Sequence, residues 1–315
     1  NSMTTQKKFK IIKTILGAHY HSNNEALFYC PYCKHDKRKL SVNVDKNVFK
    51  CWVCDTSGRD LRRIVRKYGD FKQLQEWDEL TNRVDLGGFE KIFTEISVET
   101  PEQVITLPAE FKSLANSATP FTALYALKYL TKRDVFKEDI LRWKIGYCDS
   151  GEYANRIVIP SFNLDGRVNY FVARSWNSSF QRYKNPPVSR DICFNELYID
   201  WDSDLVITEG IFDAIRAGPN AIPLLGSTLR ESSKLFQKII KHDTPVYVAL
   251  DSDASKKEDR IINLMLRYGV EAYKIDTSGY EDVAEMSKLQ FMERKENATF
   301  IAHGDYLLRK ALSNI

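Results

Sequence analysis

The chain has 315 residues, 43% of them hydrophobic and 28% charged, with a formal net charge of +4. That length admits two or three domains, and the balance is ordinary for a soluble globular protein, which excludes wholesale disorder. No apolar run approaches the ~18 residues of a membrane span, and the N-terminal QKKFKIIKTILG lacks signal-peptide layout, so a cytoplasmic setting without a membrane partner is expected.

Charge is unevenly spread. Up to Tyr68 the chain carries 15 Lys and Arg against 5 Asp and Glu; beyond it the count is 31 against 37. A basic surplus in so short a segment suits a module that meets a polyanion, most often nucleic acid, although a solvated basic face needs no partner.

The same segment holds four of the six cysteines in two C-x₂-C knuckles, Cys30-Pro-Tyr-Cys33 and Cys51-Trp-Val-Cys54, with 17 residues between them. Two-residue spacing lets both thiolates of a knuckle reach one tetrahedral ion. The intervening runs KLSVNV and NVFKCW read as a hairpin that folds one knuckle onto the other. Disulfides are disfavoured in a cytosolic chain, and a redox C-x-x-C does not need a second copy. Structural Zn²⁺ on Cys30, Cys33, Cys51 and Cys54 is therefore expected, with every coordination position filled by protein. His35 reads as a surface histidine, and Cys148 and Cys193 as packed thiols. Cations around the knuckles, among them Arg38, Lys50, Arg62 and Arg63, interleave with Tyr32, Phe49 and Trp52. Cations neutralise phosphates and aromatic faces stack on unpaired bases, which makes Arg38, Lys50 and Trp52 candidate contacts for single-stranded nucleic acid. Phe49 reads better as packing in the ribbon core. In GRDLRRIVRKYG, Leu61, Ile64, Val65 and Tyr68 recur at i, i+3, i+4 and i+7, an amphipathic helix stopped by Gly69.

From Asp70 to Asn116 the pattern is weak and reads as a linker with some helix. TPFTALYALKYL then reads as a helix, with Thr119 as cap and Pro120 at the first helical position. NRIVIPSF and GRVNYFVARSW read as strands joined by a turn at Asn163-Leu164-Asp165-Gly166. Together these form a mixed α+β subdomain over 117–202. Arg156, Arg174, Arg182 and Lys184 lie on or beside its strands; each alone would be an ordinary solvated cation.

From Asp204, short apolar strands alternate with helices: DLVITEG and IFDAIRAG, AIPLLG and RESSKLFQKIIKH, PVYVALDSD and KKEDRIINLMLRYG, VEAYKID and EDVAEMSKL. Such alternation predicts a mainly parallel sheet covered on both faces, with a ligand site at the carboxyl ends of the strands. Glu209 follows the strand at Leu205, Asp251 follows the strand at Val246, Asp253 lies beyond Ser252, and Asp213 falls one turn after Glu209. An arbitrary Asp-x-Asp reads equally well as a solvated turn. Several carboxylates at strand ends, however, suit Mg²⁺, which takes a few carboxylates, waters and substrate phosphates. No G-x-x-x-x-G-K-[ST] loop is present, so an ATPase engine is not expected.

These blocks carry a family resemblance. EG-x-x-D at Glu209–Asp213 and D-x-D at Asp251–Asp253 resemble the TOPRIM domain of primases and topoisomerases. CPYC…CWVC followed by a helix resembles the zinc-binding domain of DnaG-type primases, and RIVIPSFNLDGRVNYFVARS with RYKNPP resembles that family's basic polymerase subdomain. The resemblance, covering about two thirds of the chain, implies a multidomain α/β protein: a β-rich zinc ribbon (3–69), a linker (70–116), a basic subdomain (117–202), a TOPRIM domain (203–300) and a helical tail (301–315). It implies a DNA primase, a DNA-directed RNA polymerase and nucleotidyltransferase making short RNA primers on single-stranded DNA from ribonucleoside triphosphates. By position it implies Mg²⁺ or Mn²⁺ on Glu209, Asp251 and Asp253, with Asp213 in support and Asp282 a weaker candidate. Arg156, Arg174, Arg182 and Lys184 would be nucleotide or template contacts.

Three departures stand out. Bacterial members carry histidine at one zinc position where this chain has Cys33, and all-cysteine ribbons are similar to those of phage primases, implying a host-cytoplasmic setting if phage-encoded. A second lysine after KNPP is replaced in CFNELY by Asn195 and Glu196. The chain also ends soon after the TOPRIM region: either it meets a replicative helicase as a partner in trans, or the sequence is a piece of a longer protein. A TOPRIM nuclease would use the same acids, and a zinc/TOPRIM recombination or replication factor would bind DNA without catalysis.

Overall fold

The computed structural model describes residues 3–22, 25–81, 101–116, 120–178, 180–301 and Leu312. The chain divides into two compact units, Asn1–Glu90 and Lys91–Ile315.

In the first unit, helix α1 (Met3–Leu16) ends at Gly17, whose φ of 82° lies in the left-handed region that glycine enters freely. Its N–H donates to the Lys13 carbonyl at 2.8 Å. Five antiparallel strands follow in sequence order: β1 (His19–Ser22), β2 (Glu25–Phe28), β3 (Leu40–Asn43), β4 (Val48–Cys51) and β5 (Ser57–Gly58). The expected hairpin is β3–β4, in which Leu40 pairs with Cys51 and Asn43 with Val48. Asn47 in its turn has a φ of 56°, a conformation asparagine tolerates, and its Oδ1 accepts the Leu61 N–H at 3.1 Å. Helix α1 and the β1–β2 hairpin were not foreseen. That hairpin has little apolar alternation, and His19 is held instead against Phe9 and Phe28 with ring centroids 5.2 Å apart in each pair.

Helix α2 (Arg62–Tyr68) stops at Gly69, where a Cβ would sit 2.5 Å from the Val65 carbonyl oxygen. Close approach, not an unusual φ, selects glycine there. Helix α3 (Phe71–Leu80) follows directly. Asp70 caps it by accepting the Gln73 N–H at 2.7 Å, and the Gln73 side chain accepts the Asp70 N–H at 2.8 Å, a reciprocal capping box. Trp77 of α3 is buried in the same core as Ile12, Phe28, Leu40, Ile64 and Val65. Arg62 donates through Nε and Nη2 to the two oxygens of Asp78 at 2.6 and 2.8 Å, both side chains almost fully buried. The stretch read as a linker from 70 thus begins with a helix of the first unit; one buried Trp among polar neighbours leaves too weak a periodicity to show it.

The second unit carries two sheets. In the first, β6 (Lys112–Ser113), β7 (Gly146–Cys148), β8 (Arg156–Phe162) and β9 (Val168–Ser175) pair antiparallel in that order. The β8–β9 turn is fixed by Asn163, whose Oδ1 accepts the N–H of Asp165 and of Arg167, and by Gly166 at a φ of 75°. Upstream, the Ile105 N–H donates to the Val168 carbonyl and Phe111 packs on this sheet, so the far end of the expected linker also belongs to folded structure. Pro120 is extended (ψ 151°) ahead of a 3₁₀ turn, Phe121–Ala123, which leads into α4 (Leu124–Lys132); Pro120 is therefore not the first helical residue, and Thr119 lies outside the described residues. Helix α5 (Lys137–Arg142) follows.

The other sheet has the order β11-β10-β12-β13-β14. Strands β10 (Leu205–Thr208), β11 (Ala221–Pro223), β12 (Val246–Ala249) and β13 (Ala272–Lys274) run parallel, and β14 (Thr299–Ile301) closes the edge antiparallel to β13. The connecting helices are α6 (Ile211–Ala217), α7 (Lys234–His242), α8 (Ser255–Arg267) and α9 (Lys288–Glu296). The parallel strands are almost continuously buried, which explains their uninterrupted apolar sequence. EDVAEMSKL is not one helix: a 3₁₀ turn at Val283–Glu285 breaks at Met286, and Ser287 caps α9 afresh by accepting the Gln290 N–H. The tail expected over 301–315 lies outside the described residues apart from Ile301 and Leu312. No described helix is long and apolar enough to cross a membrane.

Truncating one partner of a buried ion pair leaves the other charge uncompensated at a cost of about 3–5 kcal/mol. Asp78→Ala is expected to destabilise the first unit by that order in urea titrations followed by tryptophan emission, and Arg62→Met combined with it should recover most of the loss.

Candidate functional site

In the first unit the two knuckles converge. Cys30 follows β2, Cys51 ends β4, and the Lys34 N–H closes the first knuckle onto the Cys30 carbonyl at 2.9 Å. The Cys30 and Cys54 sulfurs are 3.9 Å apart, as are those of Cys33 and Cys51, and all four lie within 4.8 Å of one another as free thiols. Thiolates at ~2.3 Å around one tetrahedral ion stand about 3.8 Å apart, so the four sulfurs fit a metal ion. Burial pushes the Cys30 thiol up; at Cys54 burial acts the same way, but contacts from Thr56 and the other cysteines bring it down to about 7. His35 stands apart from the quartet, its Nδ1 accepting the Lys37 N–H at 3.0 Å.

Around this centre Trp52 is 62% exposed, with the Lys50 ammonium 4.8 Å from its ring. Phe49 is buried and stacks on Tyr32. Arg38 lies 4.8 Å over the Tyr29 ring and donates to the Ala18 carbonyl. Arg62 and Arg63, counted with the basic surface in the sequence, are instead buried; Arg63 donates to the Ser57 carbonyl.

In the second unit the acids gather where the parallel sheet predicts. Strand β10 is followed by β11 on one side and paired with β12 on the other, so the connections diverge between β10 and β12, the switch point at which sheets of this kind bind ligands. Thr208 and Ala249 are register partners, and Glu209 and Asp251 follow them at that point. Glu209 Oε1 accepts from Lys257 Nζ of α8 at 2.6 Å. Asp213, on α6, is buried and accepts the N–H of Gly210 through Oδ2 and of Ala284 through Oδ1, both at 2.9 Å. Burial first, then the charges of Asp251 and Asp282, push Asp213 up to about 7. Burial, then Glu209, Asp282 and Asp253, push Asp251 up to about 6, with Lys257 acting the other way. Glu209 Oε2 and Asp251 Oδ1 are buried without a hydrogen-bond partner. Asp253 is exposed beyond them, and Asp282 caps the 3₁₀ turn at Val283. Hard carboxylate oxygens with lone pairs unmet are the chemistry that a divalent cation takes. Among the described residues only the cysteines bring three such ligand atoms within 4.8 Å of one another; the acids do not. Lys257 was missed in the sequence; its position on the helix after Asp-x-Asp, facing the sheet end, is the signal that would have found it.

The four cations of the antiparallel sheet separate. Arg156 is buried and spends Nη1 and Nη2 on the carbonyls of Arg182 and Gln181. Arg182 is exposed. Arg174 donates from Nε to the Tyr129 hydroxyl at 2.9 Å and lies 4.8 Å over the Tyr183 ring. Lys184 pairs with Glu152 at 3.1 Å. Where the second lysine was expected, Asn195 and Glu196 are buried: Asn195 Oδ1 accepts the Phe162 N–H, and Glu196 meets Lys238 Nζ at 2.9 Å.

Metal analysis is expected to find one tightly held ion in the first unit, lost together with that unit's cooperative unfolding in Cys30→Ser with Cys51→Ser. For the acids, an unfolded aspartate titrates near ~4. The folded chain therefore retains protons on Asp251 up to about 6 and loses that stabilisation as pH rises through it. With divalent ions chelated, the second unit should melt at lower temperature at about pH 8 than at about pH 5, and Asp251→Asn should flatten that fall; an unchanged pH slope in the variant would sink the assignment.

No family model matches the chain. It is 25% identical over 314 residues to a DNA primase from Aquifex aeolicus, the match covering 82% of this chain and 59% of that protein. It is 23% identical over 278 residues to a DNA primase from Helicobacter pylori, covering 74% and 48%. The chain thus spans about half the length of the curated relatives it matches. Among solved structures it is similar to a DnaG catalytic core, with a TM-score of 0.51 at 20% identity over 64% of this chain and 80% of that one. It is likewise similar to a DnaG primase catalytic domain bound to single-stranded DNA, with a TM-score of 0.50 at 17% identity over 62% and 78%. The chain is thus similar in sequence to bacterial DNA primases, and its second unit has the fold of a DnaG catalytic core.

Proposed function

We propose that the chain is a DNA primase, a DNA-directed RNA polymerase that makes short RNA primers on single-stranded DNA from ribonucleoside triphosphates during DNA replication. The observation that carries this is the pair of buried, unpartnered oxygens, Glu209 Oε2 and Asp251 Oδ1, just beyond the ends of the neighbouring strands β10 and β12 in a chain similar to DNA primases. Glu209, Asp251 and Asp253 would hold Mg²⁺ or Mn²⁺, which supplies neutralisation of triphosphate charge and of the charge that develops on the leaving pyrophosphate. Lys257 restrains Glu209, and Asp213 fixes the loops at Gly210 and Ala284 that frame the crevice. Arg174, held by Tyr129, presents a guanidinium for phosphate, while Arg156 braces the segment carrying Arg182 and Lys184. Zn²⁺ would be held by Cys30, Cys33, Cys51 and Cys54 and would keep the ribbon folded. Exposed Trp52 with Lys50 and Arg38 supplies a stacking face and cations for template.

The test supplies single-stranded oligonucleotides of varied sequence, four ribonucleotides and Mg²⁺, with and without a cognate helicase, and looks for labelled short RNA. Synthesis is expected to fall by at least about 10²-fold in Asp251→Ala with Asp253→Ala, the scale of losing preorganised charge stabilisation. Cleaved DNA in place of RNA would favour a nuclease, and full synthesis by the double variant would refute the metal assignment.

A further inference from the structure

Helix α8 opens with Lys256 and Lys257 in its first turn, where the positive end of the helix dipole disfavours cations. The two side chains part there. Lys256 is exposed, whereas Lys257 turns inward and donates from Nζ to Glu209 Oε1 at 2.6 Å, with 21% of the lysine side chain and 24% of the glutamate left to solvent. Tying down α8 does not require this pair. Ile261, Ile262, Met265 and Leu266 bury the helix, Arg267 meets Glu231 ahead of α7, and Lys274 of β13 meets Glu258.

An ion pair near a surface ordinarily contributes little and says nothing of function. The surroundings of this one differ. Glu209 and Asp251 follow the register partners Thr208 and Ala249, Asp253 lies just beyond, and Asp213 accepts the Ala284 N–H from the 3₁₀ turn that Asp282 caps. Among the ion pairs of the described residues, only Lys257 closes on one of these five acids. It takes Oε1 of Glu209 and leaves Oε2, which is buried without a partner, as is Asp251 Oδ1. Two consequences follow, of opposite sign. A divalent ion that arrives alone gains carboxylate oxygens but meets a positive charge already in place, and to take both oxygens of Glu209 it must displace the ammonium. An ion that arrives on a triphosphate comes with net negative charge, which the same ammonium attracts.

We propose that Lys257 is the resident cation of the acid site: it occupies Glu209 while the site is empty, weakens the hold on a free divalent ion, and so reserves the site for an ion carried in by a triphosphate. Lys257 acts through Glu209 and is a positioning residue. This role deepens the primase reading and rests on Glu209, Asp251 and Asp253 being metal ligands.

The test measures Mn²⁺ binding to the full chain from the paramagnetic signal of the free ion, and then binding of a fluorescent ribonucleoside triphosphate analogue at saturating Mn²⁺. Lys257→Met should tighten the hold on Mn²⁺ alone about tenfold and weaken that on the analogue by a similar factor, the scale of removing one unit charge beside a divalent ion. Lys257→Gln should do the same and guards against a folding defect in the methionine variant, while Lys257→Arg keeps the charge and should behave as the parent. Lys256→Met removes an equal charge from the same turn, but an exposed one that salt screens, and should shift either affinity by less than about twofold. A lysine that merely stiffened α8 would not tighten metal binding when removed. Mn²⁺ binding no tighter than the parent's, or unchanged analogue binding, in both Lys257→Met and Lys257→Gln overturns the proposal, as does equal tightening by Lys256→Met. Mn²⁺ binding that survives Asp251→Ala with Asp253→Ala rejects the metal reading of the acids and the proposal with it; binding abolished there but unmoved by Lys257→Met rejects the resident cation alone.

Discussion

Because Thr208 and Ala249 are paired in register, the next residues of β10 and β12 must leave the sheet together, and in this chain they lead to Glu209 and Asp251. Carboxylates brought side by side in a partly buried crevice repel one another and lose hydration, both of which favour the protonated form. The chain offsets this only in part. Lys257 answers one oxygen of Glu209, and two backbone N–H groups answer Asp213. What remains is a set of buried oxygens with unmet lone pairs and two aspartates raised to about 6 and 7. Added positive charge would relieve such a set of oxygens, which is the physical ground for proposing a cation there.

The first unit solves a different problem. A small antiparallel sheet with three helices buries only a modest apolar core, and small domains of this kind are commonly completed by a metal or by disulfides. The four thiols stand at the end of the hairpin that makes this core, close enough to share one ion. Part of the basic surplus is internal too: Arg62 is closed onto Asp78 and Arg63 onto a backbone carbonyl. Among the cations left outside, Lys50 and Arg38 rest against exposed rings.

The same division runs through the antiparallel sheet of the second unit. Arg156, Arg174, Arg182 and Lys184 look alike in sequence, yet one braces a loop, one is stacked and held by a tyrosine, one is exposed and one is ion-paired. Lys238 shows the converse, meeting from α7 the glutamate that stands where a lysine was expected. A cation's role depends on which carbonyl, ring or carboxylate the fold places within reach, and one-dimensional spacing does not record that.

Taken alone, the sequence determined the two cysteine knuckles and the hairpin between them, the buried parallel strands, and the acids that end β10 and β12. These are legible because thiol spacing, uninterrupted apolar runs and strand-end position are local properties. Tertiary structure decided the rest. It drew α3 into the first unit through Trp77 and Asp78, broke EDVAEMSKL at Met286, and brought Lys257 to Glu209. The break at Met286 comes from local caps at Asp282 and Ser287; each of the others depends on contact between residues far apart in the chain, whose energy appears only when burial and charge are shared across elements, so no window of sequence contains it.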